Sequence, residues 1–262
     1  MKKAFVKGKP AKPMVAKENH DTLFGFHSVY EALRAQKRTF YKIFVSKTRS
    51  LDRLSLILEL AQARNIPIET IEPGKMDQMI EFSNHQGVAA NTSFFPVHKA
   101  DEIISLVQKK QSPSFILVLE NIEDPHNLGA LIRTALCNGA DYILIPKDRS
   151  ALPSATVSRT SAGAMEHANI YMITNTVSIL KSLKQAGVWI SGLDAEGQTA
   201  LFDADLTGNI ALVIGGEHKG IRPLVKKECD FLLSIPNKGA INSLNASVAG
   251  GIAMYEALRQ RK

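Results

Sequence analysis

Five short apolar runs, 115–119, 142–145, 188–190, 210–214 and 231–235, recur through the second half of this chain, with amphipathic helical stretches between them. Uninterrupted apolar runs suit strands whose two faces are both covered. Their alternation with helices sets them in a parallel sheet between helical layers. An α/β unit is therefore expected from about residue 112 to residue 262. The length leaves room for one smaller companion.

That companion is expected over 21–96, where helix and strand signals alternate on a shorter period. Val29, Ala32 and Leu33 share a helical face after Ser28, the expected N-cap. Segment 40–45 is aromatic and β-branched, as in a strand. Leu54, Ile57, Leu58 and Ala61 form a second helical face, which Asn65-Ile66-Pro67 ends. Segments 66–71 and 87–92 read as further strands, and Pro96 marks the exit. No catalytic constellation appears here. Residues 97–111 read as a linker with a short helix around 103–107, about which the first unit would move.

The formal net charge is +7. Lys2, Lys3, Lys7, Lys9, Lys12 and Lys17 stand against Glu18 alone in residues 1–20, so this segment supplies most of it. With Gly8, Pro10 and Pro13 and no helical face, it reads as a disordered basic tail. Two roles stay open for it: a solubilising terminus, or an arm on RNA phosphates. No apolar stretch reaches the ~20 residues that span a bilayer. No secretory or mitochondrial leader is recognised, so a cytoplasmic protein is expected. Cys137 and Cys229 lie in apolar patterns and read as reduced core thiols. The seven histidines form no metal-ligand spacing, so no metal is expected.

In open parallel sheets ligands sit beyond the carboxyl ends of the strands. Three of those ends carry polar, glycine-punctuated turns that lead into helices. They are NIEDPHNLGALIRTA (121–135), GGEHKGIRP (215–223) and PNKGAINSLNAS (236–247). In the first, Leu128, Leu131, Ile132 and Ala135 define a buried helical face, and Arg133 points away from it. Arg133 is either a solvated side chain or a cation at a cleft. Asn127 either caps its helix or contacts substrate. In the second, Gly215 and Gly216 admit close approach of a ligand to the backbone, and Glu217 either favours a helix N-terminus or acts in the site. The order is wrong for a dinucleotide fold, whose GxGxxG follows the first strand. In the third, Ser243 or Asn245 should cap a helix with the face Val248, Ile252 and Tyr255. Small residues Ala246, Ser247, Ala249, Gly250 and Gly251 admit backbone, cofactor or a second subunit. Pro236 fixes the exit of the last strand.

Together the three turns resemble the three motifs of the SpoU/TrmH family of RNA 2′-O-methyltransferases, in the SPOUT superfamily. The matching segments are DPHNLGALIRTA, IGGEHKGI and SIPNKGAINSLNAS, in that order. LFGFHSVYEAL and HQGVAA in the first unit resemble the family's small, ribosomal-protein-like substrate-binding domain. The arrangement is similar to the RlmB-like branch, which modifies a guanosine of large-subunit rRNA. The resemblance implies a trefoil-knotted catalytic domain over 112–262 and a homodimer packed through the knot helices. It implies S-adenosylmethionine bound by Gly215, Gly216, Ile235, Ser243 and Leu244. It implies catalytic roles for Asn127, Arg133, Glu217 and Asn245. A free guanidinium stays protonated, so Arg133 is expected to stabilise a developing alkoxide and orient RNA. His218 and Lys219 depart from the glycine and acid common at that turn. Two other readings remain: a tRNA 2′-O-methyltransferase, and a noncatalytic RNA-binding protein of the same fold. An unrelated nucleotide-dependent enzyme is disfavoured by the missing first-strand fingerprint.

Overall fold

The computed structural model describes residues 20–47, 54–80, 84–217, 219–239 and 243–262. Residues 1–19 of the expected basic tail, and His218, lie outside the described residues.

The first unit comprises β1 (Asp21–Phe24), α1 (Phe26–Ala35), β2 (Phe40–Ser46), α2 (Ser55–Ala63), β3 (Ile68–Ile71), α3 (Pro73–Met79) and β4 (Val88–Thr92). Its sheet runs β1-β4-β2-β3, with β4 antiparallel to both neighbours and β3 parallel to β2. Leu23, Val29, Leu33, Ile43, Ile57 and Val88 fill its core. Helix α1 starts earlier than Ser28 suggested. Gly25 is its N-cap, at φ 86°, and the Gln86 side chain accepts from the Phe26 N–H at 3.0 Å. Ser28 is buried within the first turn. A cap supplied from so far along the chain leaves no local sequence signal.

The second unit continues with β5 (His98–Lys99), α4 (Asp101–Lys109), β6 (Phe115–Glu120), α5 (Pro125–Cys137), β7 (Tyr142–Pro146), α6 (Ala155–Thr160), β8 (Ile170–Ile173), α7 (Thr176–Gln185), β9 (Trp189–Leu193), β10 (Thr199–Ala200), β11 (Ile210–Gly215), α8 (Pro223–Lys226), β12 (Phe231–Ser234) and α9 (Ala246–Gln260). The eight strands lie in the order β10-β12-β9-β11-β6-β7-β8-β5, and every described pairing is parallel. One core layer packs Leu117, Leu119, Leu212 and Ile214 against Leu128, Leu131 and Met254 from α5 and α9. The other packs Ile116, Val118 and Val213 against Leu180 and Leu183 of α7.

The five apolar runs all became strands, but three strands escaped the pattern. β5 and β10 are two residues each, and β8 is a four-residue run beside polar loops. Residues 97–111 are not a free linker. β5 pairs with β8, and Ile103 and Val107 of α4 are buried in the second core layer. The cysteines are also corrected. Both are free, Cys137 is exposed, and Cys229 is half-buried. Burial, reinforced by Asp230, pushes the Cys229 thiol up to about 12.

The two units are locked by charge. The Arg38 guanidinium forks onto Glu166, with Nε–Oε2 at 2.8 Å and Nη2–Oε1 at 3.1 Å. Both side chains are wholly buried. Arg38 also donates to Asp21 at 2.7 Å and lies over the Phe95 ring. Lys37 donates to the carbonyls of His167 and Ala168. Glu166 sits in a 3-10 turn, Ala164–His167, directly after α6. The Thr160 hydroxyl of α6 in turn donates to the Pro125 carbonyl, at the start of α5, at 3.0 Å. The first unit is thus tied to the helix that carries Asn127 and Arg133, and free movement about 97–111 is not what the contacts favour.

Candidate active site

The carboxyl ends of β6, β9, β11 and β12 open into two adjoining clefts. Gly216, Glu217 and Ala246 line both. All three sequence turns meet here.

The first turn begins with Asp124 at the N-cap of α5. Its Oδ1 accepts from the His126 N–H at 2.9 Å, and Pro125 opens the helix. Asn127 is therefore not the cap, which was one of its two expected roles. Its amide is free to donate to Glu217 Oε1 at 2.8 Å. In the third turn Asn245 is the N-cap of α9, and its Oδ1 accepts from the N–H groups of Ser247 and Val248. The same side chain uses its Nδ2 to reach Asn127 Oδ1 at 3.2 Å and Glu217 Oε1. Asn245 thus fills the structural role and joins the site as well. Asn127, Glu217 and Asn245, from three separate turns, form one closed polar triad. Only one carboxylate oxygen of Glu217 takes those bonds; Oε2 has no partner among the described residues.

The five residues expected at a cofactor, Gly215, Gly216, Ile235, Ser243 and Leu244, all line the second cleft. Its volume is about 390 Å³, within the ~300–1,000 Å³ typical of small-molecule sites. Leu193, Ile214 and Leu233 add apolar wall, while Asp194 and Glu196 bring carboxylates. Such a lining fits a flat heterocycle attached to cationic groups. Asp194 is already ion-paired to Lys226.

The glycine turn has a different reason from the expected one. A Cβ on Gly215 would overlap the backbone of Gly220 and Ile221, and one on Gly216 would overlap the Asn121 carbonyl. The nearest obstacle is the protein's own chain, drawn close by the Gly216 N–H bond to the Glu120 carbonyl at 2.9 Å. Gly216→Ala is therefore expected to disturb the turn itself, lowering the melting temperature and cofactor affinity together. Calorimetric binding beside a thermal melt checks this; an unchanged melt with lost affinity would assign the clash to ligand instead. The small residues of α9 divide in the same concrete way. Gly250 abuts Leu131 and Ile214, Ala246 and Ala249 line the second cleft, and Gly251 faces an outer apolar hollow.

Arg133 behaves differently from the other candidates. It is exposed on α5, lines neither cleft, and has no polar partner among the described residues. Sequence reasoning also passed over Glu120, Arg149 and Arg222, and noted Lys219 only as a departure from the family pattern. Glu120 left a signal: a charge that ends an otherwise apolar strand and is fully buried.

The family model for the SpoU rRNA methylase family matches residues 114–255. The chain belongs to that family. A second model, for the RNA 2′-O ribose methyltransferase substrate-binding domain, matches 22–97. Among relatives of this SpoU-family chain is the 23S rRNA (guanosine-2′-O-)-methyltransferase RlmB of Pseudomonas putida, 37% identical over 92% of this chain and 97% of the relative. The enzyme of the same name from Shewanella oneidensis is 35% identical over 94% and 99%. The SpoU methyltransferase AviRb from Streptomyces viridochromogenes, solved with AdoMet, shares the fold at a TM-score of 0.76 and 22% identity. That match covers 92% of this chain and 90% of AviRb.

Proposed function

We propose that this protein transfers a methyl group from S-adenosylmethionine to a ribose 2′-hydroxyl of RNA, with a guanosine of 23S rRNA as its target. The observation that carries this reading is the Asn127–Glu217–Asn245 triad where the two clefts meet. One cleft suits the cofactor. The other, of about 540 Å³, is lined by the cations Arg149, Lys219 and Arg222 beside the carboxylates of Glu123, Asp124 and Glu217, and its cations offer contacts to RNA phosphates. The targets named for the RlmB relatives support rRNA over tRNA. The polar triad at the junction favours an enzyme over a noncatalytic RNA-binding protein.

Bound in its cleft, S-adenosylmethionine supplies an electrophilic methyl group. The chain's own work is largely positioning, because displacement needs the attacking oxygen in line. Asn127 and Asn245 hold the Glu217 carboxylate by Oε1, which leaves Oε2 to accept the ribose 2′-O–H and hold its proton. Arg133 supplies a fixed cation for the developing negative oxygen. It lines neither cleft of the single chain, so RNA or a second copy must bring the ribose and Arg133 together.

A homodimer fits this requirement. Val248, Ile252 and Tyr255 of α9 and Phe202 beside it are exposed, and Phe202, Ile252 and Tyr255 line an apolar hollow with Leu201, Ile235 and Pro236. A patch of this kind on a soluble chain marks an interface. Ile252→Glu is expected to give monomers in sedimentation and to lose methyl transfer; an active monomer would remove the dimer from the account. The enzymatic reading itself is tested with methyl-labelled S-adenosylmethionine and 23S rRNA. Label is expected in RNA ribose. Calorimetric binding of NAD in place of S-adenosylmethionine, with no label transferred, would overturn it.

A further inference from the structure

We propose that Arg222 binds a phosphodiester of the RNA substrate, flanking the ribose that is methylated, and that a buried carboxylate aims it there. This rests on the RNA methyltransferase reading above. Glu120 ends β6, and its side chain is wholly buried. Its Oε2 accepts from the Thr176 hydroxyl, at the start of α7, at 2.7 Å. Its Oε1 accepts from Arg222 Nε. The carboxylate is therefore fixed on one side by a strand and a helix and grips one edge of the guanidinium on the other.

The opposite edge of that guanidinium is the informative part. The Arg222 side chain is 42% exposed and lines the same cleft as Asn127 and Glu217. A guanidinium carries five donors in one plane. Beyond Nε, only a 3.5 Å approach of Nη2 to Thr176 occurs, so Nη1 has no partner among the described residues. A buried ion pair is a poor stabilising device, because desolvation consumes most of its attraction. It is a good orienting device, since it removes the rotamer freedom of a long side chain. A planar fork so presented matches the paired oxygens of a phosphate.

The surroundings agree. Arg149 and Lys219 line the same cleft, and neither has an ion-pair partner among the described residues. Asn121 and Arg149, both at this cleft, hold φ of 56°. Such conformations are uncommon for a non-glycine residue and concentrate at functional sites. Glu123, Asp124 and Glu217 also line it and would confine a phosphate to the Arg222 side.

The competing role for Arg222 is that of a plain counter-ion to Glu120. Glu120→Gln removes the buried charge and keeps Arg222, while Glu120→Gln/Arg222→Gln removes both charges. Binding of a 23S rRNA transcript is measured across ~50–200 mM salt. Relative to Glu120→Gln, the double variant is expected to bind on the order of tenfold more weakly. Its slope of log K against log salt should be smaller by about 0.7–0.9, the signature of one lost phosphate contact. S-adenosylmethionine affinity and melting temperature should match those of Glu120→Gln. Equal RNA affinity and slope in the two variants would overturn the proposal, as would a loss confined to cofactor binding. Should Glu120→Gln not fold, Arg222→Lys serves, because it keeps the charge. Its RNA affinity should fall several-fold, and wild-type affinity would again overturn the assignment. Labelling of the transcript by the wild-type protein is the control. Labelling with an unchanged slope sinks only the role of Arg222; no labelling at all sinks the enzymatic reading beneath it.

Discussion

Arg133→Ala is expected to keep the fold and S-adenosylmethionine affinity while losing methyl transfer by about 10²–10³-fold, the usual cost of removing one donor from a developing oxyanion. Arg133 is solvent-facing, opposite Leu128, Leu131, Ile132 and Ala135, and has no described partner to leave behind. Surface changes of that kind usually shift stability by no more than about 0.5 kcal/mol. Arg133→Lys should recover little, because an ammonium lacks the planar fork. Single-turnover transfer at saturating RNA and cofactor, beside thermal melts, measures this. A normal rate for Arg133→Ala would return the residue to a solvated surface role. It would also leave Glu217 and the two asparagines as the whole polar centre.

Arg38→Met carries the largest expected stability effect. It leaves the Glu166 carboxylate buried without its cation, a loss of about 3–5 kcal/mol. At ~2–4 °C per kcal/mol for a chain of this size class, the melting temperature should fall on the order of 10 °C. Arg38→Met/Glu166→Leu should recover most of that, since replacing both partners with apolar groups is often neutral. A melt of Arg38→Met within a degree or two of wild type would show that the pair does not hold the units together. The same contacts bear on truncation. A chain starting at residue 112 lacks Arg38 as well as Ile103 and Val107, so it should be poorly soluble rather than an independent catalytic domain.

The three turns that meet at the clefts were readable because each follows an apolar strand and holds residues with strong local meaning. Asn127, Glu217 and Asn245 were named from three distant segments, and the structure brings them within hydrogen-bond reach of one another. That Gly215, Gly216, Ile235, Ser243 and Leu244 line one cleft follows from the same pattern. What could not be read depended on contacts between distant segments. Asn127 looked like a cap because a polar residue near a helix start usually is one, yet Asp124 lies three residues earlier and takes that role. Segment 97–111 looked like a linker because it joins the two patterned units and ends on Lys109, Lys110 and Gln111. Ile103 and Val107 nevertheless suffice to bury α4 against the sheet. Gly215 and Gly216 were singled out for ligand approach, and only the path of residues 120–121 and 220–221 shows that they make room for the protein's own backbone. Arg38 and Glu166 gave no signal at all, since a charged pair separated by that much chain is invisible until both are buried.

The central claim is methylation of a ribose hydroxyl, and alkaline hydrolysis of cellular RNA tests it most directly. A methylated 2′-oxygen cannot form the alkoxide that cleaves the neighbouring phosphodiester, so each modified nucleotide leaves a gap in the ladder. Ladders of 23S rRNA from cells with and without this protein are compared. The account predicts one gap, at a guanosine, that fills when the protein is deleted, returns with the wild-type chain and stays filled with Arg133→Ala. Identical ladders with and without the protein, in 23S rRNA and in tRNA alike, would contradict it.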